Sequence, residues 1–127
     1  MNKLGLKNYV HLGFTDAGFR KVEFRFPKRK FIYPTFDKKS LFSGKISGLD
    51  SNLIIYVYEK IKGLVRSGDI LYGPVGVGGH VDHVIINKLL KKFDNQSHFW
   101  LDQPYSSGNK RYNLDGYKKV IEVNLGE

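Results

Sequence analysis

Asp69-Ile70-Leu71-Tyr72-Gly73-Pro74-Val75-Gly76-Val77-Gly78-Gly79-His80-Val81-Asp82-His83 runs from an apolar segment through a glycine-rich turn into a polar triplet. Residues 69–72 read as a buried strand that Gly73-Pro74 stops. A helix is expected to begin near Val81 or Asp82 and end near Phe93. Val84, Ile85, Ile86, Leu89, Leu90 and Phe93 form its apolar side, and Lys88, Lys91 and Lys92 face out. His98-Phe99-Trp100-Leu101 is the next buried strand, broken by Asp102-Gln103-Pro104. Upstream, Asp50 or Ser51 can cap a helix to about Ser67, because Leu53, Val57, Ile61 and Leu64 share one face and Gly68 suits the C-terminal cap. Helix, strand, helix, strand argues for a parallel sheet with right-handed crossovers. Ligands of such sheets bind beyond the C-terminal strand ends, where residues 73–83 and 102–105 lie.

Further out, Tyr9-Val10-His11-Leu12 reads as a short buried strand closed by Gly13. Val22-Glu23-Phe24-Arg25-Phe26 alternates like a strand with one buried face, ended by Pro27. Residues 27–48 read as one long loop, 105–116 as a polar loop, and Val120 to Leu125 as a late, half-exposed strand. The expected fold is α/β: a single domain over 1–127 with a mainly parallel sheet.

With 127 residues, 41% hydrophobic and 26% charged, the chain has the composition of one globular domain. No apolar run approaches the ~20 residues of a membrane helix, and Met1 to Leu6 has no apolar signal core, so a cytoplasmic location is the default. The lack of cysteine excludes disulfides, thiolate metal sites and cysteine nucleophiles, leaving His and carboxylate as transition-metal ligands. Of the net charge of +9, residues 20–45 carry +7: nine Lys or Arg against Glu23 and Asp37, interleaved with Phe24, Phe26, Phe31, Tyr33, Phe36 and Phe42. Such a run can bind single-stranded nucleic acid or attract an anionic membrane surface. The favoured reading is a solvated cationic loop whose aromatics fill the core, because charge runs are common on surfaces.

The chemistry concentrates at the turn. It is no P-loop, since no Gly-Lys-Ser/Thr follows, and Val81 stands where a dinucleotide fingerprint needs its third glycine. Its backbone, Gly78 and Gly79 included, can approach a ligand closely. His80 and His83, three apart at a helix start, project to nearly the same side. Neutral imidazole is a common metal ligand, and Asp82 can orient one ring. Asp82 as a helix cap with two exposed histidines is the competing reading, and spacing alone leaves both open.

Pro74-Val75-Gly76-Val77-Gly78-Gly79-His80-Val81-Asp82-His83 resembles a signature of the GlcNAc-phosphatidylinositol de-N-acetylase or LmbE-like family. His11 to Arg20 resembles that family's Leu-Gly-x-x-Asp-x-x-x-Arg stretch, and Phe99-Trp100-Leu101-Asp102-Gln103-Pro104-Tyr105 its aromatic–Glu–Asp–x–Pro–Tyr stretch, with Leu101 where Glu is usual. Lys118 to Leu125 resembles its late strand, so the likeness spans residues 9–125. It implies a Rossmann-like three-layer fold, truncated here at both ends. It also implies a zinc-dependent hydrolase that removes N-acetyl groups from N-acetylglucosamine-type substrates. By this resemblance His83 is a ligand of zinc or another divalent metal. His80 is the general acid or oxyanion stabiliser, and Asp82 raises its basicity. Asp16 and Arg20 contact substrate hydroxyls or form a structural ion pair or turn, and Gly78 and Gly79 line the substrate.

The family's His-Pro-Asp-Asp signature, which supplies two metal ligands and the general base, has no counterpart: His11 precedes Leu12-Gly13, and His98 precedes Phe99-Trp100. A catalytic zinc needs about three protein ligands. The chain is therefore expected to carry only the second half of an active site, to bind metal weakly, and to associate with itself or a companion chain that replaces the absent strand. A catalytically inactive carbohydrate- or nucleic-acid-binding homologue is the alternative, with nucleic acid the less favoured ligand.

Overall fold

A computed structural model describes residues 9–102, Tyr117, and the backbone of 120–121. Two sheets are present among them. Strands β1 (Lys21–Phe26) and β2 (Arg29–Pro34) form an antiparallel hairpin. Strands β3 (Leu71–Pro74), β4 (Ser97–Trp100) and β5 (Val120–Ile121) form a parallel sheet in the order β3-β4-β5. The helices are α1 (Lys38–Leu41), α2 (Ser51–Lys62) and α3 (Val81–Leu90). The architecture is thus mixed α/β, and the β3–α3–β4 unit appears where the sequence predicts it.

Residues 71 and 73 explain why α3 lies on β3. Leu71 is buried with Leu90 and Phe99. A Cβ on Gly73 would run into the Leu90 side chain, so glycine lets helix and strand approach. Behind this face, Val81, Ile85 and Leu89 of α3 join Val57 of α2, Ala17 and Phe36 in a second buried cluster, against which Leu53, Ile54 and Ile61 pack. Asn87 ties the two elements together: its Nδ2 donates to the Pro74 carbonyl at 2.8 Å in a buried hydrogen bond.

Several expectations are corrected. Residues 9–12 form no strand; Tyr9 and Val10 are 78% and 64% exposed. Three apolar residues with His11 among them favour extended chain but do not supply a sheet edge to join. The expected loop over 27–48 contains β2 and α1. Its hairpin lacked the usual Asn-Gly or Asp-Gly signal, because Pro27 cannot take the positive φ that opens a primed turn, and no described non-glycine residue has positive φ. Nor do the basic segment's aromatics fill the core: Phe36 is buried, while Phe24, Phe26, Tyr33 and Phe42 are exposed. Helix α2 stops at Lys62 rather than Ser67, with Gly63 as its C-cap, and Leu64 is exposed beyond it. Strand β3 runs through Gly73-Pro74; proline is tolerated there because β3 is an edge strand among the described residues and needs no N–H on its outer side.

Among the described residues α3 covers one face of the parallel sheet, and Tyr72 on the other is 56% exposed. A three-layer arrangement is therefore not seen among them. The 105–116 loop and residues 122–125 of the late strand lie outside the described residues. No described helix is long and apolar enough to cross a membrane.

Candidate functional site

The C-terminal ends of β3 and β4 meet at Asp102. This residue follows β4, is 2% exposed, and accepts from the Gly76 N–H through Oδ2 at 2.7 Å. Its Oδ1 lies 3.4 Å from His83 Nδ1 in the first turn of α3. The glycine loop and Asp102 thus share one edge of the sheet, as the parallel topology requires. Burial pushes the Asp102 carboxyl above the usual 3.8, while the Gly76 N–H and then His83 pull it down. A carboxylate held behind an imidazole in this way fixes the ring's orientation.

The loop reaches that position because of its own backbone. Gly78 and Gly79 both have positive φ, 81° and 71°. At Gly79 the requirement is double, since a Cβ would lie 2.6 Å from the Phe42 carbonyl oxygen and 2.9 Å from Gly44 N. The Gly44 N–H donates to the Gly79 carbonyl at 2.9 Å, which stitches the loop to the turn after α1. Close backbone approach is therefore observed, and it is to residues 42–44 of the chain itself. Phe42 lies edge-on to His80, with centroids 5.3 Å apart. His80 is consequently buried, at 8% exposure, whereas the His83 side chain is 35% exposed. The two imidazoles are 5.0 Å apart.

Asp82 does not cap α3; His80 occupies the N-cap position. Its carboxylate accepts from Arg20 Nη2 at 2.6 Å and from the Ala17 N–H at 2.7 Å. Arg20 also reaches Asp50, Nε to Oδ1 at 3.5 Å, and lies over the Phe36 ring. Burial pushes the Asp50 carboxyl up, opposed by Arg20 and reinforced by Asp82. Arg20 is therefore placed as a structural cation between two acids. Asp16 caps the short 3-10 turn Ala17–Phe19, accepting from the Gly18 N–H at 2.8 Å. Arg20 thus forms an ion pair and Asp16 a turn cap, contacts of the structural kind the sequence reading allowed. A crevice of about 290 Å³ runs beside them, lined by Leu12, Phe14, Asp16, Arg20, Leu53 and Asp82 among others, but by neither histidine.

Asp16, His80 and Asp82 each offer a ligand atom within 4.8 Å of the others, a donor set that can hold a metal ion. Two donors on one tetrahedral zinc lie roughly 3.4 Å apart, so these side chains would have to draw inward. Asp82 would have to share its carboxylate with Arg20. His83 stands outside this set, paired with Asp102. Sequence reasoning placed Asp102 at the site's edge but gave it no role; its position directly after a buried strand was the available signal. Asp50 was read only as a helix cap, although its side chain makes no capping bond and serves Arg20 instead. Comparison with known proteins finds no match to this chain among family models, curated proteins or solved structures.

Proposed function

We infer that the chain is a metal-dependent de-N-acetylase module of the LmbE-like kind, built on a Rossmann-like sheet and acting on N-acetylated amino sugars. The observation that carries this reading is the convergence of His83, Asp102 and the glycine loop at the C-terminal edge of a parallel sheet. That is where such sheets bind ligands. His83 fits the metal-ligand role because buried Asp102 engages Nδ1, so Nε2 is the atom that would bond the ion. When bound, zinc supplies Lewis-acid polarisation of the amide carbonyl and a more acidic water. His80, centred 5.0 Å from His83, is the residue to hand a proton to the leaving amine. Phe42 and the 42–44 turn keep bulk water from its ring.

A second metal reading rests on the Asp16, His80 and Asp82 donor set. Asp82 is already neutralised by Arg20, which weakens it as a ligand, and His83 is preferred for that reason. The remaining ligands and the base would come from a His-Pro-Asp-Asp segment, which residues 1–127 do not contain. The 127-residue chain alone is therefore expected to release little acetate from N-acetylglucosamine derivatives, even with zinc, and to bind zinc weakly. In a metal-competition titration His83→Ala should lower that affinity about tenfold or more, while Asp16→Asn leaves it unchanged. Robust turnover abolished by His83→Ala would mean that this chain completes its own site. Loss of zinc in Asp16→Asn alone would transfer the metal to the other donor set.

A further inference from the structure

The β1–β2 hairpin contributes no residue to the site above, and its two faces differ sharply. Opposed residues of an antiparallel pair share a face. The register therefore puts Val22 with Tyr33, Phe24 with Phe31, and Phe26 with Arg29 on one side. Lys21 with Pro34, Glu23 with Ile32, and Arg25 with Lys30 lie on the other. The first face is aromatic and open to solvent: Phe24, Phe26 and Tyr33 are 50%, 66% and 54% exposed. Its rings contact one another, Phe24 with Tyr33 and Phe26 with Phe31, and none belongs to either buried cluster among the described residues. A contiguous exposed apolar patch of this kind marks an interaction surface.

The charge around it narrows the partner. Residues 21–34 carry five cations against Glu23, and Glu23 is already held by Arg25 and Lys30. Lys28 and Arg29 sit at the turn, beside Phe26. The partner must be anionic and apolar at once. Single-stranded nucleic acid would need cations beside the rings to track its phosphates, but of the strand cations only Arg29 shares the aromatic face. A second copy would bring its own +9 against this one. An anionic bilayer meets both demands, because aromatic rings settle at headgroup level while Lys and Arg reach the lipid phosphates. We propose that the hairpin docks the protein on an anionic lipid surface, its aromatic face and Phe26-Pro27 turn entering the headgroup layer and Lys28 and Arg29 pairing with phosphate. This surface is independent of the metal chemistry proposed above.

Flotation of the full chain with phosphatidylcholine vesicles, with and without phosphatidylserine, tests the proposal. Binding should require phosphatidylserine. Lys28→Ala with Arg29→Ala should weaken it roughly thirtyfold, and Phe24→Ser with Phe26→Ser about tenfold or more. Lys60→Ala with Lys62→Ala, the same charge removed from α2, should change it by less than about twofold. Far-UV circular dichroism identifies any variant that has lost its fold. Phe26→Ser alone, at the most exposed of these rings, then replaces the double aromatic variant. Equal binding to neutral vesicles, no binding, or equal loss in the α2 control overturns the proposal. So does a single-stranded oligonucleotide that binds the hairpin in place of vesicles, or a dimer that Phe24→Ser dissociates.

Discussion

The corner around His83 and the β1–β2 hairpin are assembled by opposite means. At the corner, glycine loop and helix are locked by contacts from distant chain: Asp102 to Gly76, Asp82 to Ala17, and Gly44 to Gly79. In the hairpin no paired residue lies more than thirteen positions from its partner, and Phe24, Phe26 and Tyr33 remain exposed. The corner spends polar groups on tertiary order and leaves His83 partly accessible. The hairpin keeps its apolar groups accessible and relies on local pairing. Substitutions should therefore be felt in stability at the corner and in association at the hairpin.

The largest effect should come from Arg20, whose side chain is 12% exposed between Asp50 and Asp82. Arg20→Ala leaves the buried Asp50 without its cation and should destabilise the fold by about 3 kcal/mol in urea unfolding. A change below about 1 kcal/mol would show that the ion-pair cluster does not organise the corner.

A smaller pair of effects separates backbone approach from backbone conformation. Gly79→Ala meets the backbone of Phe42 and Gly44 as well as positive φ, and should cost about 2–3 kcal/mol. Gly68→Ala has φ +90° with nothing within 4 Å of the new Cβ, and should cost about 1 kcal/mol. Equal thermal shifts in the two variants would remove the case for the loop's close contact with residues 42–44.

Asp102 gives a pH signature. Its folded carboxyl lies above the usual 3.8, so the folded state holds that proton more tightly. The resulting stability is fully present below the unfolded value and is lost as pH rises through the folded value. Wild type should therefore lose stability relative to Asp102→Asn as pH climbs from below 3.8 through the acid range. Unfolding curves collected across that range would contradict the assignment if the two proteins ran parallel.

Smallest of all, Phe24→Ser in the hairpin should change global stability by less than about 0.5 kcal/mol, because the ring is half exposed. A loss above about 2 kcal/mol would mean that the aromatic face is part of the core after all.

Local pattern carried the β3–α3–β4 unit well. A short apolar run, a glycine turn and a helical stripe each have one period and little competition, and the order strand–helix–strand implies the parallel sheet. The hairpin was half legible: β1 alternates visibly, but Pro27 reads equally as a stop and as the first corner of a turn. Only pairing with residues 29–34 distinguishes the two. Residues 9–12 show the converse failure, an extended apolar run that the described sheet does not take up. In the site, His80, Asp82 and His83 were visible as chemistry, but their partners were not. Arg20 is 62 positions from Asp82, and no local period reports so distant a contact.

From the sequence alone come a globular composition, the exclusion of cysteine chemistry, the concentration of charge in residues 20–45, and a polar triplet at a helix start after a glycine loop. These follow from residue identity and short-range spacing, which a linear chain displays directly. Tertiary structure decided that Asp82 serves Arg20, that Asp102 stands behind His83, that Phe42 covers His80, and that Phe24, Phe26 and Tyr33 of the basic segment point outward while Phe36 enters the core. Each depends on which distant surfaces pack together. Burial and ion pairing are properties of that packing, and the same side chain in the same local sequence can be ligand, cap or salt-bridge partner according to what the fold brings beside it.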